Sequence, residues 1–346
     1  MSKSLQHLLP DPDQYVRCVD HARSIEIEPG GTALSLDRVV LVETPLPWPK
    51  PFTSHPLLAP VARIFDDARC ATSLLATVPD QRSRHDNLIG VEVHHRTEDG
   101  ASAMLYRVET DQIEALMLAL AKTDGPGQPH DYPHIGEPIS HRSTLLVCTH
   151  GTHDVCCGSL GTTLASELSL LTQHGELSLR VKRVSHIGGH RFAPTAMSLP
   201  DGRMWAYLNS DDVGLIVNHP EQPSAELLSK CRGWWGAPPG PAQVAELAVF
   251  AKVGWDLDQM PRSVSEMPIS SLSVGSESDA ESSVVVYAVH TSEHRWRVGI
   301  GHRRTVPAIK CRKPGGVPAK TLDEYEVEWV NGPEPVNVSQ GMPAPA

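Results

Sequence analysis

Aromatic residues are scarce in this 346-residue chain, at 5% of the total, so its cores must be built from aliphatic side chains. Long apolar runs are missing. Stretches such as Ala115 to Ala121 fall far short of the roughly 20 residues needed to cross a bilayer, so no membrane association is expected. Basic charge is in deficit, with 30 Lys and Arg against 41 Asp and Glu and a formal net charge of −11. A nucleic-acid binder needs a basic face to displace phosphate counterions, so a nucleic-acid partner is not expected. The opening MSKSLQHLLPDPD has no charged segment followed by an apolar one. No secretory signal is therefore expected, and the cytoplasm is the expected compartment. No G-x-G-x-x-G opens a helix after a strand, which excludes a built-in flavin or nicotinamide reductase on this reading. There is also no C-x-x-C, which argues against thioredoxin-style dithiol exchange.

What is present is 40% apolar residues, enough for real cores, and a length that fits about two domains. Seven cysteines, an odd number, do not read as a disulfide framework. DGPGQPHDYPHIGEP (124–138) reads as a linker, the Ser-rich acidic segment 264–283 as a second, and 331–346 as a disordered tail. These breaks leave units at 1–123, 139–263 and 284–330.

The first unit reads as strand 38–43, helix 59–68, strands 72–78, 88–95 and 102–109, and helix 111–122. The second repeats the order: strand 143–147, helix 159–172, strand 177–184, a hairpin of 195–199 and 203–208 turning at Pro200-Asp201-Gly202, then helices near 212–218 and 241–252. Both follow β-α-β-β-β-α, the minimal thioredoxin-like order. The predicted class is α/β with two such units on mixed sheets. A small C-terminal β-hairpin element (283–290 with 295–301, plus strand 324–330) completes it. Pro194 reads as an ordinary trans proline at a strand start. Trp234 and Trp235 read as buried.

Chemistry concentrates in two strings, CTHGTHDVCCG (Cys148 to Gly158) and SHIGGHRFAP (Ser185 to Pro194). Cys148 falls at the carboxyl end of a strand, Cys157 at the start of the next helix, and His186 and His190 in the loop after the following strand. Loops at the carboxyl ends of parallel strands converge, so the two strings are expected to meet. H-x3-H lacks the glutamate of zinc proteases, and the paired Gly188 and Gly189 disfavour a helix. The histidines therefore belong to a loop wrapped around a bound object. Two Cys with two His suit either structural zinc or a 2Fe–2S cluster, and neither spacing matches the usual templates of these. Cys18, Cys70, Cys231 and Cys311 read as small buried hydrophobes. No residue is assigned a catalytic role, and no carboxylate pair is placed for a sucrose-cleaving hydrolase.

CTHGTHDVCCGSLG followed by SHIGGHRFAPTAMSLPDGRMWAYL resembles the sucrase/ferredoxin-like family, also described as thioredoxin-like ferredoxins. GGTALSLDRVVLVETPLPW upstream and Cys231-Arg232-Gly233 downstream extend the likeness. The resemblance implies a 2Fe–2S cluster in 139–263, of the bis-histidinyl, non-Rieske type. Cys148 and Cys157 would be its thiolate ligands, and His186 and His190 its imidazole ligands. Cys156 is then a bystander. His150, His153, Asp154, Gly188, Gly189 and Arg191 are partners of the ligand loops or, for the histidines, alternative ligands. His153 stands where the family commonly has arginine. The implied role is an electron carrier or redox sensor served by separate donor and acceptor proteins, rather than an enzyme with its own substrate site. Imidazole ligation would raise the potential, since Rieske centres span about −150 to +300 mV against about −400 mV for plant-type ferredoxins.

Overall fold

The computed structural model describes residues 3–80, 88–98, 100–123, 125, 129, 132–139, 143–220, 222–268, 284–311, 313–315 and 318–336. The expected 264–283 linker and 331–346 tail thus lie largely outside the described residues. Of the described part of the tail, 331–335 belong to a strand.

Arg38–Glu43 (RVVLVE) is strand β1, and every residue in it is buried. A β-branched run like this suits an interior strand covered on both faces. β2 (Thr72–Thr77) lies parallel to β1. β3 (Ile89–Thr97) lies antiparallel on the other side of β1, and β4 (Gly100–Val108) follows it. In the second block β6 (Thr144–Cys148) pairs in parallel with β7 (Arg180–Val184). It pairs antiparallel with β8 (Ala196–Leu199), which leads to β9 (Arg203–Trp205). Both blocks thus have the order second, first, third, fourth, with matching strand directions.

One ten-stranded mixed sheet holds both blocks, in the order β10 (Cys231–Trp234)-β9-β8-β6-β7-β2-β1-β3-β4-β5 (Glu137–Pro138). β2 and β7 join through Thr77 opposite Val184, with Ser185 N–H donating to the Ala76 carbonyl at 2.8 Å. The end of the expected linker, β5 (Glu137–Pro138), extends this sheet against β4, and Tyr132 is buried against Tyr106.

Several expectations need amendment. The helix expected over 59–68 is two short 3-10 turns, 59–61 and 64–67. The Ala193–Pro194 bond is cis, where a trans bond was expected. The C-terminal element is larger than a hairpin. It is a four-stranded antiparallel sheet of β11 (Arg262–Glu266), β12 (Val285–Thr291), β13 (His294–Ala308) and β14 (Lys320–Pro335). Trp234 and Trp235 are buried, as expected.

The helices follow their local signals. Cys18–Ser24 is α1 and Ile113–Ala121 is α2. α3 (Thr162–Gln173) buries Leu164 and Leu168 on one face. α4 (Ser210–Asn218) starts with a reciprocal cap between Asn209 and Asp212. α5 is Ala225–Ser229, and Cys231–Trp234 is β10. α6 (Pro241–Val253) carries proline at its first turn. No helix among the described residues is long and apolar enough to cross a membrane.

Candidate metal centre

Cys148 ends β6, and Val184 ends its parallel neighbour β7. The chain leaving β6 turns through 149–154 and enters a helix whose first full turn, Cys157–Gly161, is π-helical before α3 begins. Gly161 passes so close that a Cβ there would lie 1.9 Å from the Cys148 carbonyl oxygen. Only glycine lets the helix start sit directly over the strand end and deliver Cys157 beside Cys148. The loop leaving β7 carries His186. Gly188 and Gly189 have φ of +79° and +73°, the left-handed region, and they fold the chain back into a 3-10 turn, His190–Phe192.

The two strings meet as expected. The Sγ atoms of Cys148 and Cys157 and a ring nitrogen of His186 lie within 4.8 Å of one another. His186 Nδ1 is 3.7 Å from Cys148 Sγ and 3.9 Å from Cys157 Sγ. Both sulfurs are buried. The hydrogen bond from Cys157 and the contact with His186 pull the Cys148 thiol well below its usual value in spite of burial, while Cys157 moves up in turn.

His190 is adjacent, its ring centroid 5.9 Å from that of His186. Its Nδ1 does not face the two sulfurs but lies 3.3 Å from Asp154 Oδ2 and 3.1 Å from Cys18 Sγ. With Nδ1 turned to Asp154 and Cys18, Nε2 is the ring nitrogen left for a metal, the usual arrangement of a metal-binding imidazole. Burial, followed by the Arg191 charge, pushes the His190 pKa down to about 3, so the ring is neutral.

The other predicted partners separate by role. His153 stacks on His186, with centroids 3.8 Å apart and planes 16° from parallel, and burial and His186 take its pKa down to about 3. It covers the ligand ring. His150 is turned away, its Nε2 donating to the Pro49 carbonyl at 2.9 Å between the rings of Trp48 and Phe52. Arg191 is buried over Phe192. Cys156 is not beside the Cys148–Cys157 pair but in a second group with Cys18, Asp154 and Cys311.

Sequence reasoning missed Arg232 as a functional residue, although the string Cys231-Arg232-Gly233 was in view. It is buried, donates to the Thr32 hydroxyl at 3.1 Å, and lies so close to Gly189 that a Cβ there would meet its Cζ at 2.7 Å. Burial foremost, then Arg191, brings its pKa down to about 10, while the Cys148 and Cys157 sulfurs oppose that fall. It sets a positive charge that interacts with the Cys148 and Cys157 sulfurs. Sequence reasoning also missed that Cys18 and Cys311, nearly 300 residues apart, meet at this edge. No local spacing signals it.

The donor set therefore suits a thiophilic metal or an iron–sulfur group: two buried thiols, one imidazole facing both, and a second imidazole held by a carboxylate.

A family model described as sucrase/ferredoxin-like matches residues 29–233, more than half of the chain. Among curated proteins, altered inheritance of mitochondria protein 32 of Clavispora lusitaniae is 31% identical over 91 residues, covering 25% of this chain and 33% of the relative. The protein of the same name from Meyerozyma guilliermondii is 28% identical over 95 residues, covering 26% and 34%. The matched stretch thus spans about a third of the length of these relatives. No solved structure matches. With both strings of the metal centre inside the matched region, the chain belongs to the sucrase/ferredoxin-like family.

Proposed function

We propose that the chain is a redox protein holding a 2Fe–2S cluster through Cys148, Cys157, His186 and His190, at the edge of the second of two thioredoxin-like units. The observation that carries this reading is the mixed donor set at the carboxyl ends of parallel strands, where open α/β sheets hold their ligands. The carboxylate on His190 Nδ1 supports it further, because it leaves Nε2 free to ligate. When bound, such a cluster supplies one-electron transfer.

The chain's own residues then act in definable ways. Asp154 holds the proton of His190 at Nδ1, and His153 shields His186 by stacking. The Arg232 guanidinium offsets negative charge at the sulfurs. An imidazole that keeps a proton on its other nitrogen makes electron transfer sensitive to pH, since the proton is held more tightly once the centre gains negative charge. We place the protein in a reducing compartment, the cytoplasm, exchanging electrons with separate donor and acceptor proteins or reporting redox state as a sensor.

A zinc ion on the same four residues is the second reading. Nitrogen–sulfur separations of 3.7 and 3.9 Å are close to the roughly 3.6 Å edge of a tetrahedron with Zn–S near 2.3 Å and Zn–N near 2.0–2.1 Å. Anaerobic purification followed by a visible spectrum and iron and zinc analysis separates the two. A brown protein that bleaches on reduction and holds about two iron atoms per chain supports the cluster. A colourless protein in which Cys148→Ser removes one zinc supports the second reading and overturns the first.

A further inference from the structure

Beyond the Cys148–Cys157 edge lies a second group of donors. Cys18 is the first residue of α1, Cys156 lies in the helical turn before Cys157, and Cys311 follows the end of β13. Their sulfurs form a triangle with sides of 3.6 Å (Cys18–Cys156), 3.3 Å (Cys156–Cys311) and 3.5 Å (Cys311–Cys18). Asp154 Oδ1 stands 3.5 Å from Cys18 Sγ, and one donor atom from each of the four residues lies within 4.8 Å of the others. Cys18 and Cys156 are fully buried and Asp154 is 5% exposed.

We infer that Cys18, Cys156, Cys311 and Asp154 form a structural zinc site, distinct from the Cys148–Cys157–His186 centre.

Four observations lead there. First, a zinc tetrahedron with Zn–S near 2.3 Å has sulfur–sulfur edges of about 3.8 Å, and the triangle is within a few tenths of an ångström of that. A disulfide would use two of the three sulfurs and leave the third, with the carboxylate, unexplained. Second, three thiols this close cannot satisfy one another well, because S–H is a weak donor and sulfur a weak acceptor. A triangle of hydrogen-bonded thiols is a poor reason to bury three cysteines and an aspartate together. Third, the group joins segments that are remote in sequence: Cys156 is 138 residues from Cys18 and 155 from Cys311. A zinc ion would pin the N-terminal helix and the C-terminal sheet to the helix that presents Cys157. Fourth, there is a way in. A cavity of about 190 Å³ reaches Asp154, His190 and Cys311, and Lys50, Lys310 and Lys313 line it too. Three thiolates and a carboxylate around a dication leave a net charge of about −2, which these lysines offset.

Loading is a ligand exchange with no redox step: zinc replaces the thiol protons, which pass to solvent. Asp154 then joins the two centres, with Oδ1 toward the zinc and Oδ2 3.3 Å from His190 Nδ1. This inference does not depend on what the neighbouring centre binds.

Metal analysis of the full chain, purified under reducing conditions without chelator, tests it. Whatever the neighbouring centre holds, one zinc per chain is expected that is lost in Cys18→Ser and Cys311→Ser and kept in Cys148→Ser. Should either serine variant fail to fold, wild-type protein refolded with Co²⁺ provides the second readout. Thiolate-to-cobalt charge-transfer absorption that persists in Cys148→Ser and His186→Ala supports the site. The inference is overturned by less than a tenth of a zinc per chain, by zinc that is lost with Cys148→Ser rather than Cys311→Ser, by iron instead of zinc at these residues, or by a disulfide between any two of the three cysteines in metal-free protein.

Discussion

Two buried polar clusters in the molecule differ in kind. In one, Arg203 and Arg262 face Glu246 and Asp258. Arg203 reaches Glu246 at 2.9 and 3.0 Å and Asp258 at 2.7 and 2.8 Å. Arg262 meets the same two carboxylates at 2.9 and 2.8 Å and the Leu257 carbonyl at 2.7 Å. Two cations balance two anions, and every guanidinium nitrogen has a partner. In the other, at the carboxyl ends of β6 and β7, five cysteines, two histidines and an aspartate converge, and the thiols find mainly one another. The closed cluster locks β9, α6 and β11 together. The open one converges without closing, which is how a binding site differs from a structural network of the same burial.

The largest effect is expected from breaking the closed cluster. Glu246→Ala leaves two buried guanidinium groups on one carboxylate and should cost about 3–5 kcal/mol. Urea unfolding should show it, with metal content per folded chain unchanged. A loss below about 1 kcal/mol would mean the network is not tight.

Gly161→Ala tests the other side. A methyl 1.9 Å from the Cys148 carbonyl must push the helix start off the strand, at a cost of about 1–3 kcal/mol. Unlike Glu246→Ala, it should also empty the site at Cys148. Retention of full metal content would contradict the close approach.

Asp154→Asn is expected to weaken metal binding at His190 by about 10–100-fold, read by competition with a chelator, and to loosen the zinc proposed at Cys18, Cys156 and Cys311 as well. An effect on stability alone would make Asp154 part of the packing and not of the site.

The smallest effect joins the two halves of the sheet. Glu92 on β3 takes Arg180 from β7 at 2.8 Å, with Lys182 beside it. Burial raises its carboxyl pKa, but His94, Lys182 and Arg180 outweigh that and hold it well below the usual range. A depressed folded-state pKa means stability that is present above the unfolded value of about 4.3 and lost as pH falls below it. Glu92→Gln should cost about 1.5 kcal/mol at pH 7, a cost that shrinks steadily as pH falls below about 4.3 and is only partly lost by pH 2, because the folded-state carboxyl titrates lower still. A cost that does not change with pH would assign the effect to packing.

Much of the molecule was legible because the signals were local. RVVLVE has no polar face, so β1 had to be interior. Pro200-Asp201-Gly202 set the hairpin between β8 and β9. The meeting of the Cys148 and His186 strings followed from strand direction alone. The failures were of two kinds. Residues 59–68 looked helical by apolar spacing, but Pro60 removes a donor, and 3-10 turns formed instead. Cys18 and Cys311 looked like isolated small hydrophobes because nothing in a sequence window shows that chain ends 293 residues apart meet. The pairing of Asp154 with His190 was hidden for the same reason: a carboxylate and an imidazole 36 positions apart become partners only once the β7 loop folds back.

The most direct test is pulsed EPR of the reduced, anaerobically purified protein, reading nitrogen couplings to the paramagnetic centre. Two strongly coupled imidazole nitrogens are predicted, with one lost in His186→Ala and the other in His190→Ala. A reduced iron–sulfur signal with no strongly coupled nitrogen, unchanged by either substitution, would contradict mixed thiolate and imidazole ligation.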